Sequence, residues 1–196
     1  DLKHGQRLGY VMKLIGFANR KGEHVEVSVQ PTFLSEKHPL AGVIDEYNAV
    51  YVNGEAVGET MFYGPGAGSL PTATAVMADV VTAIKNMKLG INGQNVITPR
   101  FKKKVTPIEE KISQFYIRLH VKDEVGAFAM ISELFNQLNI SFEKIFQTPS
   151  DKEHIAEIVL ITHKTSLANF NNALERLNDL DVIQDVKSYY RVEGDA

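Results

Sequence analysis

The stretch Gly58-Glu59-Thr60-Met61-Phe62-Tyr63-Gly64-Pro65-Gly66-Ala67-Gly68-Ser69-Leu70-Pro71-Thr72-Ala73-Thr74-Ala75-Val76-Met77-Ala78-Asp79 limits the chain most tightly. It reads as a short strand, a glycine-rich turn and a helix start, with Ser69 able to N-cap and Pro71 suited to a first helical turn. Gly64, Gly66 and Gly68 carry no Cβ, so another molecule can approach their backbone, and the helix N-terminus beyond them carries partial positive charge. The spacing is G-x-G-x-G. The dinucleotide fingerprint G-x-G-x-x-G within a βαβ unit is not met. On the residues alone two readings stand: a tight strand-to-helix turn whose glycines supply unusual backbone angles, and a loop that faces a ligand.

The chain before this stretch reads as sheet. Asp1 to Leu8 is polar and ends an element, and Tyr10 to Ala18 is an apolar strand in which the Lys13 stem packs along an edge. After the turn Asn19–Gly22, residues His24 to Gln30 alternate, with Val25, Val27 and Val29 on one face of a half-buried antiparallel strand that Pro31 ends. Ser35 to Asp45 is a loop in which His38, preceding a proline, reads as held by a local backbone bond rather than as an acid–base. Ala49–Val52, a turn at Asn53-Gly54, and Ala56–Phe62 form a hairpin. In the helix after the glycines, Ala73, Val76, Met77, Val80, Ile84 and Met87 make a stripe expected to seal it onto the sheet.

Leu89 to Lys111 has no sustained period, contains Gly90, Gly93, Pro99 and Pro107, and reads as a linker in which Lys102–Lys104 is solvated charge. Phe115, Ile117, Leu119 and Val121 then alternate inward, and Ile131, Leu134, Phe135 and Leu138 follow at helical spacing. Ile140–Gln147 and Ile155–His163 are strands joined by the polar turn 148–154. Leu167, Phe170, Leu174 and Leu177 mark a second helix capped near Ser166, and Asp185–Val192 returns as a strand. The order is βαββαβ, the ferredoxin-like arrangement.

Composition removes several classes of function. The net charge is −3, with acidic and basic residues balanced over the first hundred positions, so neither half is built to hold a polyanion. An RNA-binding sheet of this topology needs a basic face with paired strand aromatics, and that pattern is absent. There is no cysteine, which excludes disulfides and thiolate chemistry, and the six histidines show no metal-ligand spacing, so no protein metal site is expected. No apolar run reaches the roughly 20 residues a membrane helix needs, and cytoplasm is the default compartment.

Taken with Leu8-Gly9-Tyr10-Val11-Met12-Lys13-Leu14-Ile15-Gly16 and His38-Pro39-Leu40-Ala41-Gly42-Val43, the glycine stretch resembles the back half of the catalytic region of homoserine dehydrogenases. The likeness runs over residues 1–88. It implies that the chain is the carboxy-terminal portion of a longer NAD(P)-dependent oxidoreductase, that the catalytic residues and the nucleotide-binding domain precede Asp1, and that Gly68, Gly66 and Gly64 lie against the NADP or NAD cofactor.

Residues 113–196, beyond a linker at 89–112, look like an ACT domain by Val121-Lys122-Asp123-Glu124-Val125-Gly126-Ala127-Phe128-Ala129-Met130-Ile131 and Asn139-Ile140-Ser141. Val125 stands where the motif has proline. The likeness implies a small amino-acid effector, with its carboxylate on the amides of Gly126, Ala127 and Phe128, its ammonium on Asp123, Asn139 contributed by another subunit of a dimer or tetramer, and Ile140 also among the effector-binding residues. The fold class expected is α+β: a partial catalytic domain of mixed or antiparallel sheet with a covering helix, followed by the ferredoxin-like domain. The competing reading is a non-catalytic, amino-acid-binding regulatory module, with an ACT domain that only dimerises as a third.

Overall fold

The structure, a computed structural model, describes residues 1–91, 104–149 and 154–194. In chain order its elements are α1 (Leu2–Arg7), β1 (Tyr10–Lys21), β2 (His24–Ser35), β3 (Tyr47–Gly54), β4 (Gly58–Pro65) and α2 (Ser69–Leu89). There follow β5 (Lys104–Val105), β6 (Ile112–Lys122), α3 (Ala127–Gln137), β7 (Phe142–Pro149), β8 (Ile155–Thr162), β9 (Thr165–Ser166), α4 (Leu167–Leu177) and β10 (Ile183–Glu193). The class is α+β, as the periodicities predict. Residues 92–103 of the expected linker, including Gly93, Pro99, Lys102 and Lys103, lie outside the described residues, as does the middle of the turn 148–154. Lys104 is paired with Glu23.

Contacts gather the chain into two compact units, residues 1–38 with 103–196, and residues 39–102. That division cuts across the one expected at 88 and 113. The reason is hydrogen bonding: Thr32–Leu34 of β2 pair in parallel with Arg191–Glu193 of β10, so the first hairpin joins the carboxy-terminal fold. Among the described residues the larger unit holds one sheet in the order β1-β2-β10-β6-β8-β7, with β5 on β2 and β9 on β6.

One side of this sheet carries the main core. Ile117, Leu119, Ile158 and Leu160 meet Ile131 and Phe135 of α3 and Phe170, Ala173 and Leu177 of α4, all nearly inaccessible. Ser166 caps α4 as expected, its Oγ accepting from Asn169 N at 3.1 Å. A second cluster forms from Tyr10, Phe33, Tyr116, Val159, Ile161 and Val192. Helix α1 sits against it: Gly5 is buried with no room for a Cβ before the Phe33 ring, and His4 Nε2 lies 2.7 Å from Glu157 Oε1. Arg118 and His120 also approach Glu157, each at 3.3 Å.

The first hairpin departs from the sequence reading in two ways. Pro31 does not end β2; it sits within the strand opposite Leu14, and β2 runs on to Ser35. The valine face is also not the buried one. Val27 and Val29 are 68% and 75% exposed, as is Leu14 at 72%, whereas Glu26 is buried. Alternation fixes which side chains share a face but not which face finds a partner.

In the smaller unit β3 and β4 form an antiparallel hairpin in which Gly54 pairs with Gly58. Asn53-Gly54 is therefore not its turn. The loop is Glu55–Val57, and Gly58 at φ 68° takes the left-handed position that a three-residue loop requires. The N-cap of α2 lies one residue before the expected one: Gly68 is the cap, and Ser69 is the first helical residue. The apolar stripe of α2 is in place, but no residue of the helix is buried, so the expected seal onto a sheet is not made within the described residues. Among these residues, no helix is long and apolar enough to cross a membrane.

Candidate functional site

The glycine turn connects β4 to α2, and its three glycines differ in what they face. A Cβ at Gly64 would meet nothing within 4 Å. At Gly66 it would run into the side chain of Asn48, and the Gly66 amide is tied back to Glu46 O at 2.8 Å. Gly68 adopts φ 119°, a conformation that strains any residue with a side chain. Thr72 fastens the helix start, donating from both its amide and its hydroxyl to Gly68 O at 3.2 and 2.7 Å. The turn thus has two glycines its own conformation requires and one, Gly64, that it does not. Both Gly66 and Gly68 are exposed.

Beside the turn, Tyr47 and Tyr63 stack with centroids 4.9 Å apart and planes at 6°. Together with Asn48 they hold the hairpin end from which the glycines leave. The sequence reading overlooked Asn48. The register that pairs it with Gly64 would have found it, but that register depends on recognising Gly58 rather than Asn53-Gly54 as the turn glycine.

The second candidate lies at the start of α3. Gly126 is the N-cap at φ 94°, the Ala127 amide bonds to Glu124 O at 3.3 Å, and the first regular helical bond is from Met130 N to Gly126 O at 3.1 Å. Among the described residues, the amides of Phe128 and Ala129 are left without a backbone acceptor at the positive end of the helix. Asp123 is exposed, anchored by its own amide to His154 O at 3.0 Å, and its carboxylate has no partner among the described residues. Val125 projects fully into solvent where a proline was expected, while Ala127 is buried and Phe128 packs against the main core. Of the amides expected to hold a carboxylate, that of Ala127 is engaged by Glu124 O and that of Phe128 has no backbone acceptor among the described residues, while the Ala127 and Phe128 side chains serve packing.

Asn139 and Ile140 are at the other end of α3, an 11-residue helix, about 16 Å away along its axis. Within one chain they are not brought to the Asp123 loop. Asn139 adopts φ 55° and donates to Asn136 O at 2.9 Å, and Ile140 N reaches back to Phe135 O at 2.9 Å, which together end the helix in a Schellman motif. The Ile140 side chain is buried.

The larger unit also contains a pair that alternation alone did not single out. Arg191 is buried over the Phe17 ring at 4.2 Å, donating to Glu26 at 3.1 Å and to Glu193 at 2.6 Å.

Residues 1–81 match the family model described as homoserine dehydrogenase, and residues 115–182 match the ACT domain model. A homoserine dehydrogenase of Bacillus subtilis (strain 168) is 54% identical over 197 residues, covering 100% of this chain and 46% of that protein. One of Neisseria gonorrhoeae is 35% identical, with 99% and 46% covered. Among solved structures, a homoserine dehydrogenase from Thiobacillus denitrificans gives a TM-score of 0.84 at 31% identity over 98% of this chain and 44% of that one. The S. aureus homoserine dehydrogenase at pH 7.0 gives 0.66 at 31% identity, over 100% and 45%. The chain spans a little under half the length of the relatives it matches. It belongs to the homoserine dehydrogenase family, and behind that family's domain it carries an ACT domain.

Proposed function

We propose that the chain works as part of a cytoplasmic NAD(P)-dependent homoserine dehydrogenase, which interconverts L-aspartate-semialdehyde and L-homoserine. The nicotinamide, when bound, supplies or accepts the hydride. The part of these residues is to present backbone: Gly64, Gly66 and Gly68 let a flat ring approach the main chain ahead of α2. The residues fit such a group, since the turn is exposed and Gly64 faces open space. In this reading the acid–base residues lie outside the 196, so this chain alone does not oxidise NADPH with the semialdehyde; turnover by it alone would count against that division of labour.

Gly64 carries the proposal because nothing among the described residues fills the place of its missing side chain. Gly64→Ala in the whole protein should leave thermal stability unchanged and raise the KM for the nicotinamide nucleotide about tenfold. Unchanged kinetics would remove the turn from the site. Gly66→Ala is the contrasting change: its methyl displaces Asn48, and Asn48→Ala in the same chain should recover part of the loss.

The carboxy-terminal module is assigned to sensing. Asp123 would accept the ammonium of an amino acid and the amides of Gly126, Ala127 and Phe128 its carboxylate, with Asn139 and Ile140 supplied by a neighbouring subunit of a dimer or tetramer. Their separation along α3 supports that two-chain site, and the uncovered Leu14, Val27 and Val29 face supports association through the sheet. Calorimetry with threonine, isoleucine and methionine tests it. Heat that Asp123→Ala abolishes is the expected result, and silence would leave the ACT domain a dimerisation module.

A further inference from the structure

The Arg191–Glu26 pair borders a cavity of about 120 Å³ whose wall also includes Lys111, Ser113, Ser28 and Phe115. Its space accommodates several waters or a molecule of a few non-hydrogen atoms. Both charged members of the pair are buried, with side chains 8% and 10% exposed. Burial of a guanidinium and a carboxylate is costly unless their hydrogen-bonding capacity is taken up. Arg191 uses Nη1 on Glu26 and Nε on Glu193, which leaves Nη2 without a protein acceptor among the described residues. The Lys111 ammonium and the Ser113 hydroxyl likewise have no protein partner among the described residues. The lining of this small cavity thus combines three residues with donor groups, Lys111, Ser113 and Arg191, and the buried carboxylate of Glu26.

We propose that this cavity is a binding site for a small α-amino acid in its zwitterionic form. Its carboxylate takes the hydrogen bonds of Lys111 Nζ, Ser113 Oγ and Arg191 Nη2, and its ammonium donates to Glu26. The charges select this class. Lys111, Arg191, Glu26 and Glu193 sum to zero, so a zwitterion leaves the site neutral, whereas a simple carboxylate or amine would bury a net charge. The volume restricts the side chain to one or two heavy atoms, as in alanine or serine. This site is separate from the Asp123 loop: Phe115 and Asp123 bracket most of β6, about 26 Å of strand. It joins β2 of the first hairpin to β6 and β10 of the ACT domain, so occupancy would bear on how firmly the two are held together.

The test is calorimetric titration of the whole protein with L-alanine, with propionate and ethylamine as single-charge probes. Saturable heat in the millimolar range is expected for alanine, weakened about tenfold by Lys111→Met and unaffected by Asp123→Ala, with propionate and ethylamine at least about tenfold weaker. Glu26→Gln should also weaken it, but that change touches a buried pair, so Lys111→Met and Ser113→Ala, which break no contact in the fold, decide the matter. Absence of saturable heat, heat lost in Asp123→Ala but kept in Lys111→Met, or equal binding of propionate would each overturn the proposal.

Discussion

Helices α2 and α3 make opposite use of apolar residues. Helix α3 spans 11 residues and buries Ala127, Ile131, Leu134 and Phe135; α2 spans 21 and buries none, although Val76, Met77, Val80, Ile84 and Met87 recur along it at helical spacing. The first is packed on strands of its own unit, where contributions of roughly 1.5–3 kcal/mol per large side chain accumulate. The second presents a surface whose complement is not among the described residues. The β1–β2 hairpin repeats the contrast within one strand, since β2 buries Phe33 and Leu34 near one end and exposes Val27 and Val29 near the other. A patterned face therefore reports that something covers it, and only packing reports whether the cover is in the same chain.

The largest expected effect follows directly. Phe135→Ala empties a fully buried position and should destabilise the 196-residue chain by about 3–5 kcal/mol in urea unfolding. Ile84→Ala in α2 should cost under about 0.5 kcal/mol in the same chain. In the whole protein the Ile84 change should rise to about 2–4 kcal/mol once the stripe is covered. Equal small effects in both would mean that α2 is a solvent-facing helix, and the contrast with α3 would lose its explanation.

A smaller effect separates glycines that packing requires from those it merely tolerates. Gly5→Ala drives a methyl against Phe33, which cannot retreat because its ring is held by Tyr116 at 4.8 Å and Tyr190 at 5.6 Å. A loss of about 1–3 kcal/mol is expected. Gly16→Ala, on the exposed face of β1, has only Val29 Cγ2 at 3.9 Å before it and should be nearly neutral. A neutral Gly5→Ala would show that α1 is not seated on β2.

What the sequence disclosed was local. The αβ periods of residues 115–192, the Ser166 cap and the helix beginning beside Gly126 each depend on neighbours a few positions away, and each was found where expected. The misread features depended on distant partners or on backbone angles. Asn53-Gly54 has the composition of a tight turn, yet Gly58 holds the positive φ that sets the register. Pro31 lies inside a strand because its missing N–H matters only if a neighbour needs it. Glu26 alternates like any solvated strand residue, and its burial follows from Arg191, 165 positions along the chain. At the candidate site the glycines were legible because lost side chains are visible in a sequence. Asn48, which fills the space above Gly66, was not, because its role exists only once the hairpin has paired.

The smallest effect concerns pH and the junction of α1 with the sheet. Tyr116 is fully buried, and its hydroxyl donates to Asp1 Oδ1 at 3.1 Å. Burial pushes its phenol well above the ordinary tyrosine value, the nearby Glu157 and Tyr190 adding to the shift and Arg118 opposing it. A raised value in the folded state means that the folded chain keeps the proton after the unfolded chain has released it. The contribution to stability is complete below about pH 10, where unfolded tyrosine titrates, and declines as the pH climbs from there toward the folded value. Tyr116→Phe removes that decline along with one hydrogen bond, so it should cost about 1 kcal/mol near neutrality and progressively less above about pH 10. Urea midpoints of both proteins measured from about pH 8 to about pH 11 give the comparison. Converging curves are the expected result; parallel curves would mean that the phenol is as accessible to hydroxide in the folded chain as in the unfolded one, and that α1 does not close over it.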